Sequence, residues 1–309
     1  MISMLQKTNA QKIIGRLFPK AKVVGIREFK KGMINRTYDV KLSSKENVVL
    51  RIYPRESWKA VKEKYLYDLL AKRTNVPVPE VYKIDTSKRL IPHAYSVLSK
   101  LEGRELGKIY LKTKNKKLIS DAGRYLAKIH SIKFSRFGWI VGKEIKPKFK
   151  DWRAYFDYGL EHKLDKIKKI NKVPKEIITE TKKYVEEHQG LLDIKSKPCL
   201  IHKDYHFSHI IADEGKINGI IDFEWAISGH NELDLIKSEW WMFEKLPEIR
   251  PIFHKAYKQA GGVISNKFEK RKKLYELKIL IGMISLSYKR KSRHWFNYNV
   301  REAKKILGI

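Results

Sequence analysis

The sequence predicts a mixed α+β fold in two lobes: a small N-terminal lobe with an antiparallel sheet, and a larger, mainly helical C-terminal lobe. Short runs rich in Val, Ile and Tyr, separated by turn residues, occupy residues 23–53 and 94–99 and are typical of strands. Apolar residues recur at helical spacing in residues 118–130 and again in residues 268–309. The chain has 309 residues, 42% of them apolar, which is enough for the cores of two such lobes.

Composition narrows the class of protein. The single cysteine, Cys199, excludes a disulfide framework and favours a reducing compartment. The longest apolar run, residues 279–286, is much shorter than the ~20 residues that a membrane span needs, and the first residues lack the apolar stretch of a signal peptide. We therefore expect a cytoplasmic protein with no membrane span.

The charge is strongly positive, because 67 Lys and Arg face 34 Asp and Glu, giving +33. Such a balance is compatible with a nucleic-acid partner, but the lysines are scattered along the chain, which favours a solvated basic surface instead. Residues 222–248 depart from this pattern with seven acidic and two basic residues, a net charge of −5. We expect this segment to form an acidic patch that attracts a cationic small molecule.

The N-terminal elements follow in order. Residues 9–18 have helical periodicity, and residues 23–40 predict a β-hairpin whose turn contains Gly32. The next apolar strand carries one cation, Arg51, which is costly to bury unless it is paired or meets a ligand. A solvent-facing position on an edge strand is the alternative for this arginine. The helix that follows carries Glu63, and prolines at 77 and 79 end it.

The C-terminal part is mostly helical. Beyond the helix of residues 118–130, residues 137–139 predict a turn, and Asp151 is a candidate N-cap for the next helix. The basic and aromatic residues 289–295 form the strongest nucleic-acid pattern in the chain, although a solvated helix end is the better explanation of them.

Residues 199–224 contain the candidate catalytic and metal-binding residues. An apolar strand leads into a polar loop with Asp204, and a strand-turn-strand unit then leads to Asp222. Each acid alone reads as an ordinary turn residue. Two acids at strand ends, in the spacing His202, Asp204, His209, Asp222, instead favour phosphoryl transfer, with Asp204 as proton acceptor and Asp222 as a ligand of Mg²⁺.

These motifs resemble the aminoglycoside phosphotransferase and choline kinase-like family of small-molecule kinases, which has a bilobal protein kinase-like fold. The family pattern is H-G-D-x-x-x-x-N followed by I-D. Two positions of this chain depart from it: Lys203 replaces the usual small residue, and His209 replaces the usual Asn, as it does in macrolide phosphotransferases. An imidazole nitrogen is a competent metal ligand, although it suits Mg²⁺ less well than oxygen does.

The resemblance implies an N-lobe of residues 1–98, a hinge of residues 99–103 and a C-lobe of residues 104–309. It implies a phosphotransferase that moves the γ-phosphate of ATP or GTP, with Mg²⁺ or Mn²⁺, to a hydroxyl of an aminoglycoside-like, macrolide-like or amino-alcohol acceptor. The residues that match the family's functional positions are Asp204 as the catalytic base; Arg51, Glu63, Gly32, Asn35, Ser99 and Leu101 for the nucleotide; His209 and Asp222 for the metal; and His202 and Asp234 as structural support.

The alternative is a nucleotide-binding pseudokinase or an RNA-associated module that uses the basic surface. The substitutions at Lys203 and His209 favour it. The complete set of Asp204, Asp222, Arg51 and Glu63 favours the enzyme. Nucleic-acid binding would weaken steeply with salt, which separates the two hypotheses. We expect a monomer or a weak dimer.

Overall fold

The computed structural model describes residues 6–29, 35–44 and 46–309. The helices are α1 (Lys7–Gly15), α2 (Trp58–Arg73), α3 (Leu106–Thr113), α4 (Lys116–Ser131), α5 (Trp152–Lys168), α6 (Lys175–Glu187), α7 (Glu232–Ser238), α8 (Arg250–Gln259), α9 (Phe268–Lys289) and α10 (Arg293–Leu307). The strands are β1 (Val23–Glu28), β2 (Arg36–Leu42), β3 (Asn47–Tyr53), β4 (Val81–Asp85), β5 (Ala94–Ser99), β6 (Arg104–Glu105), β7 (Phe137–Val141), β8 (Glu144–Phe149), β9 (Cys199–Ile201), β10 (Ile210–Ala212), β11 (Ile217–Ile220) and β12 (Ile227–Gly229).

The N-terminal lobe is an antiparallel sheet in the order β1-β2-β3-β5-β4. Alternate residues of β2 and β3, such as Val40, Val48 and Leu50, are buried and form a core with α1, as the period-2 pattern requires. β3 lies in the middle of the sheet, so the edge-strand alternative for Arg51 is wrong. The predicted mixed fold of sheet and helical lobe is confirmed.

Helix α2 joins the two lobes. Its Leu66, Tyr67 and Leu70 are buried in the large core that otherwise consists mainly of residues from the C-terminal lobe. Since burying an apolar side chain of this size contributes about 1.5–3 kcal/mol, this face fixes α2 against the second lobe. The helix therefore holds its polar side chains in a defined position relative to the loops after β9 and β11.

Two small sheets present those loops. One has the order β11-β10-β6 and the other the order β8-β7-β12-β9. The chain leaves β9 through Lys203, with φ of 70°, and leaves β11 near Asp222, with φ of 71°. Both values lie in the left-handed region that side chains other than glycine seldom adopt, so the two turns bend sharply where the predicted acids stand.

Several local predictions can be compared with these elements. Asp151 caps α5 by accepting a hydrogen bond from the Ala154 N–H at 2.8 Å, as predicted. The turn expected at residues 137–139 is wrong, because these residues lie in β7 and pair with β8 and β12. Cys199 is a buried strand residue, as expected. Gly32 lies outside the described residues. In the described part of the chain, every helix is too short or too polar to cross a bilayer.

Candidate active site

The loop after β9 is held in place by hydrogen bonds to a buried aspartate. Asp234, which is fully buried at the start of α7, accepts hydrogen bonds from the backbone N–H of His202, at 2.5 Å, and from that of Lys203. The His202 side chain donates from Nε2 to the carbonyl of Ile221 at 2.9 Å, which ties this loop to the end of β11. His202 and Asp234, for which the sequence predicts a supporting role, hold the two acidic loops together through these hydrogen bonds.

Asp204 projects from this loop and its side chain remains a quarter exposed. One carboxylate oxygen, Oδ2, lies 3.6 Å from His206 Nε2 and 3.5 Å from His209 Nδ1, while Oδ1 lies 3.6 Å from Lys237 Nζ. Burial by itself would raise the pKa of Asp204, but the hydrogen bond from His206 and the charge of Lys237 outweigh it and hold the pKa below its usual range. The carboxylate is therefore ionised and available to orient a hydroxyl.

His209 faces both acids. Its Nδ1 donates to the backbone carbonyl of Asp204 at 2.8 Å, which leaves the lone pair on Nε2. That Nε2 lies 3.6 Å from Asp222 Oδ2. Ligand atoms about 2.1 Å from one ion are roughly 3–3.5 Å apart at octahedral or tetrahedral angles, so His209 and Asp222 fit a shared divalent ion with a small adjustment.

A second group, Asp204, His206 and His209, also brings three potential ligand atoms within 4.8 Å of one another. Here the tautomers argue against a metal. His206 Nδ1 accepts from the Ser208 N–H at 3.3 Å, so its proton is on Nε2, the nitrogen that faces Asp204. His206 therefore presents its Nε2–H to the carboxylate, 3.6 Å away, rather than a lone pair to a metal.

The predicted ion pair between Arg51 and Glu63 is present within the N-terminal lobe, and Arg51 also reaches Asp222 in the other lobe. Arg51 Nη1 lies 3.4 Å from Glu63 Oε1 on α2, and Nη2 donates to Asp222 Oδ1 at 2.8 Å. The Tyr53 hydroxyl donates to the second Glu63 oxygen at 2.6 Å. Burial would lower the pKa of Arg51, but Asp222 and Glu63 raise it well above its usual value, so the guanidinium stays charged.

One carboxylate at the site had no predicted role. Glu224 stands two residues after Asp222, is buried, and lies 3.3 Å from Arg51 Nη2 through Oε2. The Asn35 amide donates to the same oxygen, so Asn35 contacts Glu224 in this structure. Burial and the nearby Asp222 charge raise the pKa of Glu224. The sequence signal was an acid at i+2 after Asp222, a spacing that puts both carboxylates in one sharp turn.

The predicted hinge residues lie at the end of β5. The Ser99 N–H donates to the Glu80 carbonyl at 2.9 Å, and its Oγ accepts from the Glu80 N–H at 2.9 Å. This backbone donor is thus already used within the sheet. Leu101 packs against Gly219 on β11, where an added Cβ would lie only 2.2 Å from the leucine Cδ1. The structure therefore brings Leu101 to the base of the cleft and leaves Ser99 in a strand.

The acidic segment 222–248 is largely neutralised from within. Asp222 and Glu224 face Arg51, and Asp234 serves the backbone of the catalytic loop. Glu232 is ion-paired with Arg271, and Glu239 accepts from Arg250 at 2.8 Å. The exposed acids of the segment are Glu244 and Glu248. The expected acidic patch is therefore reduced to these two residues.

The basic residues 289–295 run from the last residue of α9 through the connection into the first turn of α10, where Trp295 is 45% exposed. This surface is separate from the contacts described above and leaves a nucleic-acid partner as an open alternative.

Comparison with known proteins places these observations in a family. The sequence model of the phosphotransferase enzyme family matches residues 25–268. The chain is similar in structure to a thermostable mutant of aminoglycoside phosphotransferase APH(4)-Ia, with a TM-score of 0.74, 16% identity and coverage of 96% of this chain and 98% of that chain. It is also similar to a Thermobifida fusca protein provisionally named as a fructosamine-3-kinase, with a TM-score of 0.75, 16% identity and coverage of 97% and 99%. No curated protein matches the chain.

Among these structures is a ternary complex of APH(4)-Ia with AMP-PNP and hygromycin B, which has a TM-score of 0.74, 16% identity and coverage of 97% of this chain and 98% of that chain. At such low identity these likenesses show the protein kinase-like fold, while the family follows from the match over residues 25–268.

Proposed function

Since this chain belongs to the phosphotransferase enzyme family, we propose that it transfers the γ-phosphate of ATP or GTP to a hydroxyl group of a small molecule. The observation that carries the proposal is the convergence of Asp204 and Asp222 on opposite sides of His209, with Arg51 bonded to Asp222 across the lobes. This arrangement provides a proton acceptor, a metal position and a phosphate-binding cation in one cleft.

We place the nucleotide between an N-lobe of residues 1–98 and a C-lobe of residues 104–309, joined by a hinge at residues 99–103. The similarity to a complex with AMP-PNP supports a nucleoside triphosphate in this position. On its arrival the Arg51 guanidinium exchanges part of its contact with Asp222 and Glu224 for phosphate oxygens, which it can grip in a bidentate manner. Glu63 keeps the arginine oriented through its 3.4 Å ion pair.

His209 Nε2 and Asp222 Oδ2 would hold Mg²⁺ or Mn²⁺. When bound, the ion neutralises charge on the phosphates. During transfer the acceptor oxygen bonds to the γ-phosphorus, and the bond to the bridging oxygen breaks with its electron pair leaving on the nucleoside diphosphate. Asp204 orients the hydroxyl and takes its proton late, because its pKa is depressed and a weak base gains from proton transfer only as the bond to phosphorus forms.

The test is nucleotide binding and phosphoryl transfer by the wild type and by Asp204→Asn, with Asp213→Asn as the control. Asp213 is an exposed turn residue that accepts from the Gly215 N–H, so its change leaves the site intact. We expect Asp204→Asn to lose roughly 10²–10⁴-fold in kcat while it retains nucleotide binding.

Two results would contradict the proposal. If Asp204→Asn turns over at the wild-type rate, Asp204 is not the catalytic base. If the wild type binds no nucleotide, the chain is not a phosphotransferase. Nucleotide binding without turnover on any acceptor, combined with salt-sensitive binding of RNA, would favour the pseudokinase alternative.

A further inference from the structure

Four lysines, from three helices and the catalytic loop, lie close enough to repel one another, and one of them, Lys237, contacts Asp204. Lys203 precedes the catalytic aspartate, Lys237 lies on α7, Lys163 on α5 and Lys278 on α9. These four residues are called the lysine row below. All four are half-buried rather than fully exposed, which is unusual for lysine.

Most of the row has no carboxylate partner. Lys237 Nζ lies 3.6 Å from Asp204 Oδ1. By contrast, within residues 6–29, 35–44 and 46–309 no carboxylate lies within ion-pair distance of Lys163, Lys203 or Lys278. Lys203 Nζ lies 4.5 Å from the centre of the Trp139 ring, and Lys163 Nζ and Lys278 Nζ donate to backbone carbonyls at 3.0 and 2.6 Å. Positive charge therefore exceeds negative charge on this side of Asp204.

The helices leave space for these amines. Gly159 lies inside α5, and an added Cβ there would lie 2.8 Å from Lys278 Nζ. Gly282 lies inside α9, and an added Cβ would lie 2.4 Å from Lys163 Nζ. Glycine inside a helix is less favourable than alanine. Two such glycines, each beside one ammonium group, indicate that the amine positions are part of the fold rather than a chance arrangement of surface chains.

The pKa values agree with this crowding. Burial, with added repulsion from Lys203 and Lys237, lowers the pKa of Lys163 to about 7. Burial and the charge of Lys237 lower the pKa of Lys203 to about 8. Burial and the charges of Lys163 and Lys203 lower the pKa of Lys278 well below its usual value. A bound anion would relieve this repulsion and restore the charged form of each amine.

We propose that the acceptor is an anionic small molecule, which carries a carboxylate or phosphate group that binds the lysine row while its hydroxyl lies against Asp204. This inference rests on the proposed phosphotransferase function and names the substrate class of the same site. It replaces the cationic acceptor expected from the acidic segment 222–248, because most acids of that segment are already paired within the fold.

The same cations have one other use, which is to bind the γ-phosphate of the nucleotide. Lys237 and Lys203 are near enough to Asp204 for that role. Lys163 and Lys278 lie on α5 and α9 of the C-terminal lobe, whereas the cation expected to bind the nucleotide phosphates, Arg51, is on β3 of the other lobe. The experiment must therefore separate an acceptor site from a phosphate contact.

The first test compares acceptors that share a scaffold and differ in charge: glucosamine, glucose, glucuronate and glucose 6-phosphate, then 2-amino-1,3-propanediol, glycerol and glycerate. Direct transfer of labelled γ-phosphate gives kcat/KM for each. One charge-assisted hydrogen bond contributes roughly 1.5–3 kcal/mol, so we expect kcat/KM to be roughly tenfold or more higher for the anionic member of a series. A higher value for the amine would overturn the proposal while leaving the phosphotransferase function established.

The second test needs no turnover. Pyridoxal 5′-phosphate, an anionic aldehyde, condenses with a neutral amine to an imine with loss of water, and borohydride then reduces the imine to a stable amine. With saturating Mg²⁺ and AMP-PNP present, we expect peptide mapping to find Lys163 or Lys203 modified first. Glucuronate or inorganic phosphate should protect them, and pyridoxal without its phosphate should react more slowly.

The matched variants are Lys163→Gln and Lys166→Gln, which change a half-buried and an exposed lysine of the same helix. Lys163→Gln should abolish labelling at that position and raise KM for the anionic acceptor, and Lys166→Gln should do neither. Equal labelling of Lys166 and the lysine row would overturn the proposal. Loss of all labelling at the row when AMP-PNP is bound would also overturn it, since the cations would then serve the nucleotide alone.

Discussion

Lys203 occupies an uncommon backbone position beside the catalytic aspartate. Its φ of 70° lies in the left-handed region, where a residue with a Cβ is less stable than glycine by roughly 1–2 kcal/mol. The ammonium is also half-buried over Trp139, and no carboxylate of the described residues pairs with it. Three exposed lysines, Lys88, Lys114 and Lys291, also have positive φ, so it is the partial burial of Lys203 next to Asp204, rather than its backbone, that points to a role for its charge.

Replacing Lys203 should therefore separate stability from activity. We expect Lys203→Gly to raise the free energy of unfolding by about 1 kcal/mol, since relief of the backbone exceeds the added entropy of the unfolded chain. It should also raise KM for an anionic acceptor. Lys291→Gly is the control, because Lys291 has φ of 56° on the exposed connection after α9. It should give a similar gain in stability, measured by urea unfolding, and unchanged KM; an unchanged KM in Lys203→Gly would count against the lysine row.

Asp234 offers a second test at the scale of one residue. Asp234→Asn turns one acceptor oxygen into an amide donor facing the backbone N–H groups of His202 and Lys203. Since removing a buried charged partner costs roughly 3–5 kcal/mol, we expect a clear loss of stability and a lower kcat with nucleotide affinity nearly kept. Asp165→Asn, at an exposed position of α5, should change neither. A normal melting temperature for Asp234→Asn would show that the brace is dispensable.

The site residues differ in how far sequence could predict them. Asp204, His209 and Asp222 follow from their spacing in one motif, and the structure brings them together. No such spacing predicts that Lys237 or Glu224 belongs to the site. The approach of Lys237 to Asp204 depends on how α7 packs under the loop, and the role of Glu224 depends on the left-handed turn at Asp222. Tertiary packing of this kind leaves no periodic signal in the sequence.

At the scale of elements, periodicity predicted the long segments better than the short ones. The apolar positions of α9, such as Leu274, Leu277 and Ile281, are buried as the helical spacing required. The β7–β8 hairpin was mistaken for a turn because it contains Gly138 and alternates weakly. Its register depends on the partner strand β12, which comes much later in the chain, and a local pattern cannot reveal such a partner.

The contact between α5 and α9 yields a prediction of its own. Gly282→Ala improves helix propensity by about 1 kcal/mol but places a Cβ where Lys163 Nζ lies, so the amine must move. We expect nearly unchanged stability and a higher KM for an anionic acceptor. Gly190→Ala is the control, because a Cβ there meets no atom within 4 Å. If Gly282→Ala keeps the wild-type KM, the position of Lys163 has no bearing on the acceptor.

For the whole molecule, the charge of +33 has two separate consequences. Repulsion among exposed cations opposes folding and is screened by salt, so added salt should stabilise the protein. Buried amines oppose folding in a different way, through the cost of removing a charge from water, and salt does little to reduce that cost. Lys62 is the clearest case: it is fully buried on α2 and its Nζ donates to the Glu224 carbonyl at 2.9 Å.

Burial, together with repulsion from Lys203, lowers the pKa of Lys62 from 10.5 to about 7. The folded state therefore favours the neutral amine: its stabilising contribution is complete above pH 10.5 and is lost as the pH falls towards 7. We expect the wild-type free energy of unfolding to rise between pH 7 and pH 10. Lys62→Met should be more stable than the wild type by roughly 2–4 kcal/mol at pH 7, with the difference falling below about 1 kcal/mol near pH 10.

Lys64→Met is the matched control, since it removes one positive charge from the same helix at an exposed position, where Lys64 pairs with Asp68 at 2.7 Å. Urea unfolding at fixed high salt, across pH 7 to 10, compares the two variants without the contribution of surface repulsion. Because both variants carry the same net charge, a difference in slope reports the buried amine alone. Parallel curves for Lys62→Met and Lys64→Met would mean that Lys62 is charged in the folded protein, stabilised by the Trp58 and Trp139 rings 5.5 and 5.8 Å away.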